Sequence, residues 1–174
     1  MALDNATVRD RVQAQFGDAV LEASEYRGDL ALRVQPAALP AIAQFLRDDP
    51  RLQYIHLASV TGVDYLSREP RFEVVYHLRS FANAHLIVLK VMADEADPRV
   101  PSVVSLWPTA NYQEREVWDM FGIEFDGHPS MQRILLPEDW DGHAQRKDEP
   151  LVYEEVAFTF NREEIDAQKP YARE

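Results

Sequence analysis

Apolar residues recur at helical spacing in some stretches of the chain and crowd into β-rich runs in others. Val8, Val12 and Phe16 return every four positions behind Thr7, a residue suited to cap a helix, and Gly17 ends the run. Val20 to Tyr26 and Leu30 to Val34 flank Arg27-Gly28-Asp29, which predicts a hairpin. Pro36 opens a second helix with Leu39, Ile42, Phe45 and Leu46 as its buried stripe, and Asp48-Asp49-Pro50 stops it. Tyr54 to Val60 reads as a strand, and Asp64-Tyr65 after it suits a turn more readily than a strand-end polar site. Arg71 to Arg79 and His85 to Met92 are rich in Val, Ile, Tyr and Phe and predict two long strands joined near Asn83. A loop follows around Asp97-Pro98 and Val100-Pro101. A third helix is predicted from about Thr109 to Phe121, closed by Gly122.

Beyond Gly122 the periodicity fades and Gly127, Pro129, Pro137, Gly142 and Pro150 punctuate the chain. Extended chain with short strands or turns is expected over 126–174. A segment so long is unusual inside a compact domain, so it wraps the domain or lies on another protein. The predicted fold class is α+β: a two-layer domain, residues 1–125, with helices on one face of a mixed β-sheet. An extended C-terminal segment, 126–174, would wrap the domain and partner subunits.

Length and composition narrow the function. At 174 residues one domain is expected. No apolar run approaches the ~20 residues that cross a bilayer, and the first residues lack a signal peptide's basic start and apolar stretch. The chain has no cysteine, which removes disulfides, zinc–thiolate sites and Cys-ligated iron–sulfur clusters. Net charge is −12, against the basic footprint of nucleic-acid binders and against adsorption to anionic lipid. Half of the acidic excess falls in residues 138–174, as a solvated tail or as one that lies on a basic partner.

The candidate chemistry is sparse. Asp126-Gly127-His128 and Asp141-Gly142-His143 echo each other and hold competent metal ligands, but two turns with local hydrogen bonds explain them as well. On the third helix, Arg115, Asp119 and Gly122 share a side. Glu114 and Glu116 could do acid–base work, although salt bridges to Arg133, Arg146 or Lys147 account for them more simply. His56, His77 and His85 stand at no ligand spacing, and at least two of Trp107, Trp118 and Trp140 are expected in the core. There is no Walker loop, dinucleotide fingerprint, nucleophile elbow or His-Glu-x-x-His. A scaffold or interaction subunit is the reading that remains.

A longer pattern sharpens it. The run from Trp107 to Pro129, WPTANYQEREVWDMFGIEFDGHP, with Arg133-Ile-Leu-Leu-Pro-Glu-Asp-Trp-Asp-Gly-His and Arg146-Lys147-Asp148, closely resembles the 30 kDa subunit family of NADH:quinone oxidoreductase (respiratory complex I). Val63-Asp64-Tyr65 and Arg71-Phe-Glu-Val-Val-Tyr76 look like the family too, so the resemblance covers roughly 52–150. It implies a non-catalytic structural subunit of the hydrophilic arm of a proton-pumping enzyme. Such a subunit binds no cofactor or metal itself, while FMN and iron–sulfur clusters sit on other subunits. It implies docking to the large quinone-site subunit and the terminal-cluster subunit, at the cytoplasmic face of the bacterial inner membrane. The alternative is the equivalent scaffold subunit of a related photosynthetic NDH-type, hydrogenase-type or F420-linked complex. By resemblance, Glu114, Arg115, Glu116, Asp119, Gly122, His128, Pro129, Arg133, Arg146, Lys147 and Asp148 occupy signature positions and are candidates for structural or interface roles. The chain departs from the pattern at Ala144-Gln145, where the family usually has Pro-Leu. The loss of proline loosens a pre-set extended turn.

Overall fold

The computed structural model describes residues 3–149, 158 and 160–168. Helix α1 runs from Asn5 to Phe16 and is capped by Asp4, whose carboxylate accepts the Thr7 N–H at 2.7 Å. The cap therefore precedes the expected Thr7, because the helix starts one turn earlier than its apolar stripe. Strands β1 (Val20–Tyr26) and β2 (Asp29–Val34) form the expected hairpin. Arg27 and Gly28 both take positive φ at its two-residue turn, the geometry that suits the twist of the strands. After a 3₁₀ turn at Pro36–Ala38, α2 (Leu39–Asp48) buries Leu39, Ile42, Ala43 and Leu46.

Strand β3 spans His56–Asp64, beginning and ending later than its apolar run suggests. The predicted turn at Asp64 is instead the last rung of the sheet, where Asp64 pairs with Phe72. Strands β4 (Phe72–Ser80) and β5 (His85–Ala93) follow. The five strands lie in the order β1-β2-β5-β4-β3, parallel only between β2 and β5. The sheet is mixed, as expected, and no helix among the described residues is long and apolar enough to cross a membrane.

One face of the sheet supplies the core. Leu30, Leu32 and Val34 of β2, Phe72, Val74, Tyr76 and Leu78 of β4, and Ile87, Leu89 and Val91 of β5 join Val8, Val12, Ile42 and Leu46 in a single buried cluster. Each such apolar side chain contributes roughly 1.5–3 kcal/mol of burial free energy. On the other face, Glu73 is buried by its neighbours, with Lys90 at 3.5 Å and Arg33 at 3.8 Å.

The expected loop near Pro98 contains β6 (Arg99–Pro101), which pairs in parallel with β7 (Glu124–Asp126). Three-residue strands carry too little alternation to announce themselves. Between them, α3 (Ala110–Phe121) lies against β3. A Cβ on Gly62 would come within 2.6 Å of the Phe121 ring, so this close approach requires glycine. Residues 127–149 contain no regular strand or helix and return over α3. Within the stretch read as extended, α4 (Arg162–Gln168) is a helix. Asn161 accepts the Phe158 N–H just before it, and Glu163 and Glu164 suit the positive end of its first turn. The strands or turns expected over 150–157 and 169–174 lie outside the described residues.

Candidate functional site

The two faces of α3 that are three and four residues apart do different work. Glu114 points toward the chain before the helix. Its carboxylate accepts the Val103 N–H at 2.8 Å and the Ser102 hydroxyl at 2.7 Å. It is fully buried with no cation beside it among the described residues, and desolvation pushes its pKa up to about 7. The salt bridge from Glu114 to Arg133, Arg146 or Lys147 is therefore absent: those cations lie with the other face of the helix. Glu116 is exposed and borders a shallow groove of about 200 Å³ between β3 and α3.

Arg115 and Asp119 share that other face, as the helical spacing predicts, and both hold the returning chain. Arg115 donates from Nε to the Gln132 carbonyl at 2.9 Å and from Nη2 to that of Arg133 at 3.1 Å. Asp119 is fully buried. Its Oδ1 takes the Arg133 guanidinium at 2.7 Å, and its Oδ2 accepts three consecutive backbone N–H groups, from Ile134, Leu135 and Leu136. Burial alone raises this carboxyl's pKa, but the three backbone donors and Arg133 outweigh it and bring it down to about 2.

The C-terminus of α3 is capped from the same returning segment. Gly122 takes φ 75°, the left-handed geometry that ends a helix. Arg146 Nε donates to the Phe121 carbonyl at 2.7 Å, His143 Nδ1 donates to that of Asp119 at 3.0 Å, and the Gln145 N–H reaches that of Met120. Three of the helix's last carbonyls thus gain partners that the helix cannot supply. His128 serves the other end. Its Nε2 donates to the Asn111 carbonyl at 3.1 Å, and its Nδ1 accepts the Ser130 N–H at 3.0 Å. The Asp-Gly-His echo thus places its histidines about 12 Å apart along α3, with both ring nitrogens of His128 already engaged. Among the described residues, no three His, Asp or Glu side chains converge on a point where a metal ion could sit. Pro129 is exposed.

A second polar centre gathers Asp148, one of the signature positions, with Asp64 and Arg71, which the sequence did not pair with it. Arg71, which immediately precedes β4, is buried between two carboxylates. Its Nε and Nη2 grip Asp64 at 2.9 and 2.7 Å, and its Nη2 and Nη1 grip Asp148 at 2.6 and 3.0 Å. Glu95 approaches Nη1 at 2.5 Å. Asp64 also accepts the backbone N–H of Lys147 at 2.8 Å and of Leu66 at 2.8 Å. The Arg71 guanidinium holds the Asp64 carboxyl well below the usual range and is itself held charged. The Asp64–Phe72 pairing sets residue 71 beside the end of β3, but an acidic residue after a strand reads in the sequence more readily as a turn than as a polar site. Lys147 enters this centre through its backbone, and its side chain is left to the surface.

Arg115, Asp119, Gly122, Arg133, Arg146, Lys147 and Asp148 thus meet at the joint between α3, the ends of β3 and β4, and the returning segment 131–149, Lys147 through its backbone. Glu114 and His128 spend their polar atoms elsewhere on the chain, on residues 102–103 and on Asn111 and Ser130. Glu116 and Pro129 face solvent.

A family model described as the respiratory-chain NADH dehydrogenase, 30 Kd subunit, matches residues 32–155. An NADH-quinone oxidoreductase subunit from Roseiflexus castenholzii is 62% identical over 174 residues, the full length of both chains. The protein of the same name from Herpetosiphon aurantiacus is 54% identical over 99% of each. Among solved structures, the trypsin-resistant fragment of Nqo5 superposes with a TM-score of 0.59 at 30% identity, covering 72% of this chain and 97% of the fragment. A chain of an archaeal membrane-bound sulfane sulfur reductase shares the fold, with a TM-score of 0.71 at 23% identity over 84% of this chain and 86% of that one.

Proposed function

Because this chain belongs to the 30 kDa subunit family of the respiratory-chain NADH dehydrogenase, and is therefore a subunit of an NADH:quinone oxidoreductase, we propose that its own part in the enzyme is structural and that it has no active site. The observation that carries this reading is the direction of the polar groups at the signature positions. Asp119 and Arg133, Asp64 with Arg71 and Asp148, His128 and Arg146 all close on the chain itself. A catalytic or cofactor site needs groups that converge on a space a substrate can enter. Here the same residue types converge on a joint.

In this reading the subunit sits in the hydrophilic arm, where FMN and the iron–sulfur clusters are carried by neighbouring chains. Its partners are the large quinone-site subunit and the terminal-cluster subunit, at the cytoplasmic face of the inner membrane. The solved Nqo5 relative is a trypsin-resistant fragment, which supports treating the rest of the chain as a segment that a partner holds in place. The acidic excess of residues 138–174 favours a basic surface on that partner.

The test is a gentle detergent extraction with an affinity tag on this chain, followed by mass spectrometry, flavin and iron analysis, and an NADH:quinone assay. The full set of arm subunits is expected to co-purify with the activity, while the chain purified alone carries neither flavin nor iron. Stoichiometric flavin, iron or another metal on the isolated chain would overturn the absence of a site. Recovery of a hydrogenase-linked set would keep the structural role and change the reaction.

A further inference from the structure

The loop 133–140 is built inside out. Its backbone is tied down by buried polar groups: the N–H groups of Ile134, Leu135 and Leu136 reach Asp119 Oδ2 at 3.1, 2.8 and 3.0 Å. Arg133 closes the loop by donating to the Trp140 carbonyl at 2.9 Å and that of Gly142 at 3.2 Å. A surface loop fixed in this way ordinarily turns polar side chains to water. This one turns out Leu135, 60% exposed, Trp140, 43%, and Ile134, 38%. Tyr112, 64% exposed, extends the same surface. Arg115 lies over its ring at 5.7 Å while holding the carbonyls of Gln132 and Arg133. The loop's backbone is held by buried polar groups, while large apolar side chains stand among those it exposes.

We propose that this crest, centred on Leu135 and Trp140, is a docking surface whose occupant is a neighbouring subunit of the same oxidoreductase, presenting an apolar recess edged with lysine or arginine. The proposal rests on the structural reading above and names the surface through which it acts. Charge selects the occupant. Glu138, Asp139 and Asp141 are exposed around the crest and form no ion pair among the described residues. An anionic surface, whether lipid or nucleic acid, is repelled. A second copy related by a two-fold axis would set these carboxylates against their own images. A basic rim neutralises them and surrounds an apolar centre, the usual anatomy of a specific interface. Aromatic and large apolar anchors carry most of the affinity at such interfaces, and a loop already held by Asp119 and Arg133 loses little freedom on docking.

The experiment tags the full-length chain in its source membrane and compares wild type with Leu135→Asp, Trp140→Ala and, at a distant exposed aromatic, Tyr26→Ala. Recovery of partner subunits is expected to fall about tenfold or more for the two crest variants, the loss typical of an interface anchor. Tyr26→Ala should match wild type. Thermal melting of each purified chain checks that the crest variants remain folded. A second measurement needs no variant: hydroxyl-radical footprinting of Trp140 and Leu135, in the complex and in the free chain. Strong protection in the complex supports the proposal. Wild-type recovery by both crest variants, or equal labelling of Trp140 in the two states, overturns it. If the wild-type chain itself brings down no other part of the oxidoreductase, the structural reading fails as a whole, an outcome distinct from failure of this surface.

Discussion

Glu114 and Asp119 are both fully buried carboxyls on one helix, and their surroundings drive them in opposite directions. Asp119 has four donors and Glu114 has two, neither of them charged. The linkage to pH follows. Asp119 is held below its ordinary value, so its contribution is complete above pH 3.8 and is lost as pH falls toward about 2. Glu114 is raised to about 7, so the folded state holds a proton that the unfolded chain releases above about 4.5. Folding stability therefore declines as pH rises between those two values, by up to about 3 kcal/mol, and then levels off. Glu114→Gln keeps an oxygen for the Val103 N–H, offers an amide N–H that the Ser102 hydroxyl can turn to accept, and removes the titration. We expect urea unfolding at about pH 5 and about pH 8 to show the Gln variant gaining on wild type at the higher pH. A wild type whose stability does not fall across that interval contradicts the assignment.

At the scale of elements, the joint depends on how closely 143–146 approaches the end of α3. A Cβ on Gly122 would lie 2.5 Å from Arg146 Nη2 and 2.6 Å from the His143 ring, in a left-handed conformation that already disfavours a side chain. Gly122→Ala is therefore expected to cost about 1–3 kcal/mol. It should also release the Arg146 cap, seen as faster amide exchange at Gln145 and Arg146 in the variant. Unchanged exchange there would mean the cap does not need the glycine. This part of the site was legible: helical spacing placed Arg115 and Asp119 on one face, and Gly122 marked the end of the helix. The hairpin and the two long strands were legible as well, because their patterns are local. The centre around Arg71 was not. It joins Asp64, Arg71 and Asp148 across 84 positions of chain, and no local pattern reports a contact of that range. The Glu114 pairing with Val103 was missed for a different reason. A glutamate in an acidic helix suggests a salt bridge, and only the packing of residues 102–103 beneath it shows that no cation is there.

The whole molecule turns on where its folded unit stops. Periodicity places a boundary near residue 125, where apolar spacing fades, but the physical connections continue past it. Arg133 and the amides of 134–136 are the partners of the buried Asp119. Lys147 and Asp148 complete the Asp64–Arg71 pair. His143 and Arg146 hold the last carbonyls of α3. Removing everything after Phe125 would take away all four donors to Asp119 and the caps on the last carbonyls of α3, a loss of about 3–5 kcal/mol in all. That is a large share of the roughly 5–15 kcal/mol that usually holds a domain together. We therefore expect a chain ending at Phe125 to melt about 10 °C or more below the full-length chain, and a chain ending at Glu149 to melt with it. Circular dichroism at 222 nm, the wavelength that follows the helices, gives both temperatures. If all three chains melt together, the returning segment is an appendage. If the prediction holds, residues 126–149 belong to the domain, and the Glu149 variant becomes the means of asking what the acidic remainder adds to assembly, with the crest of loop 133–140 still in place.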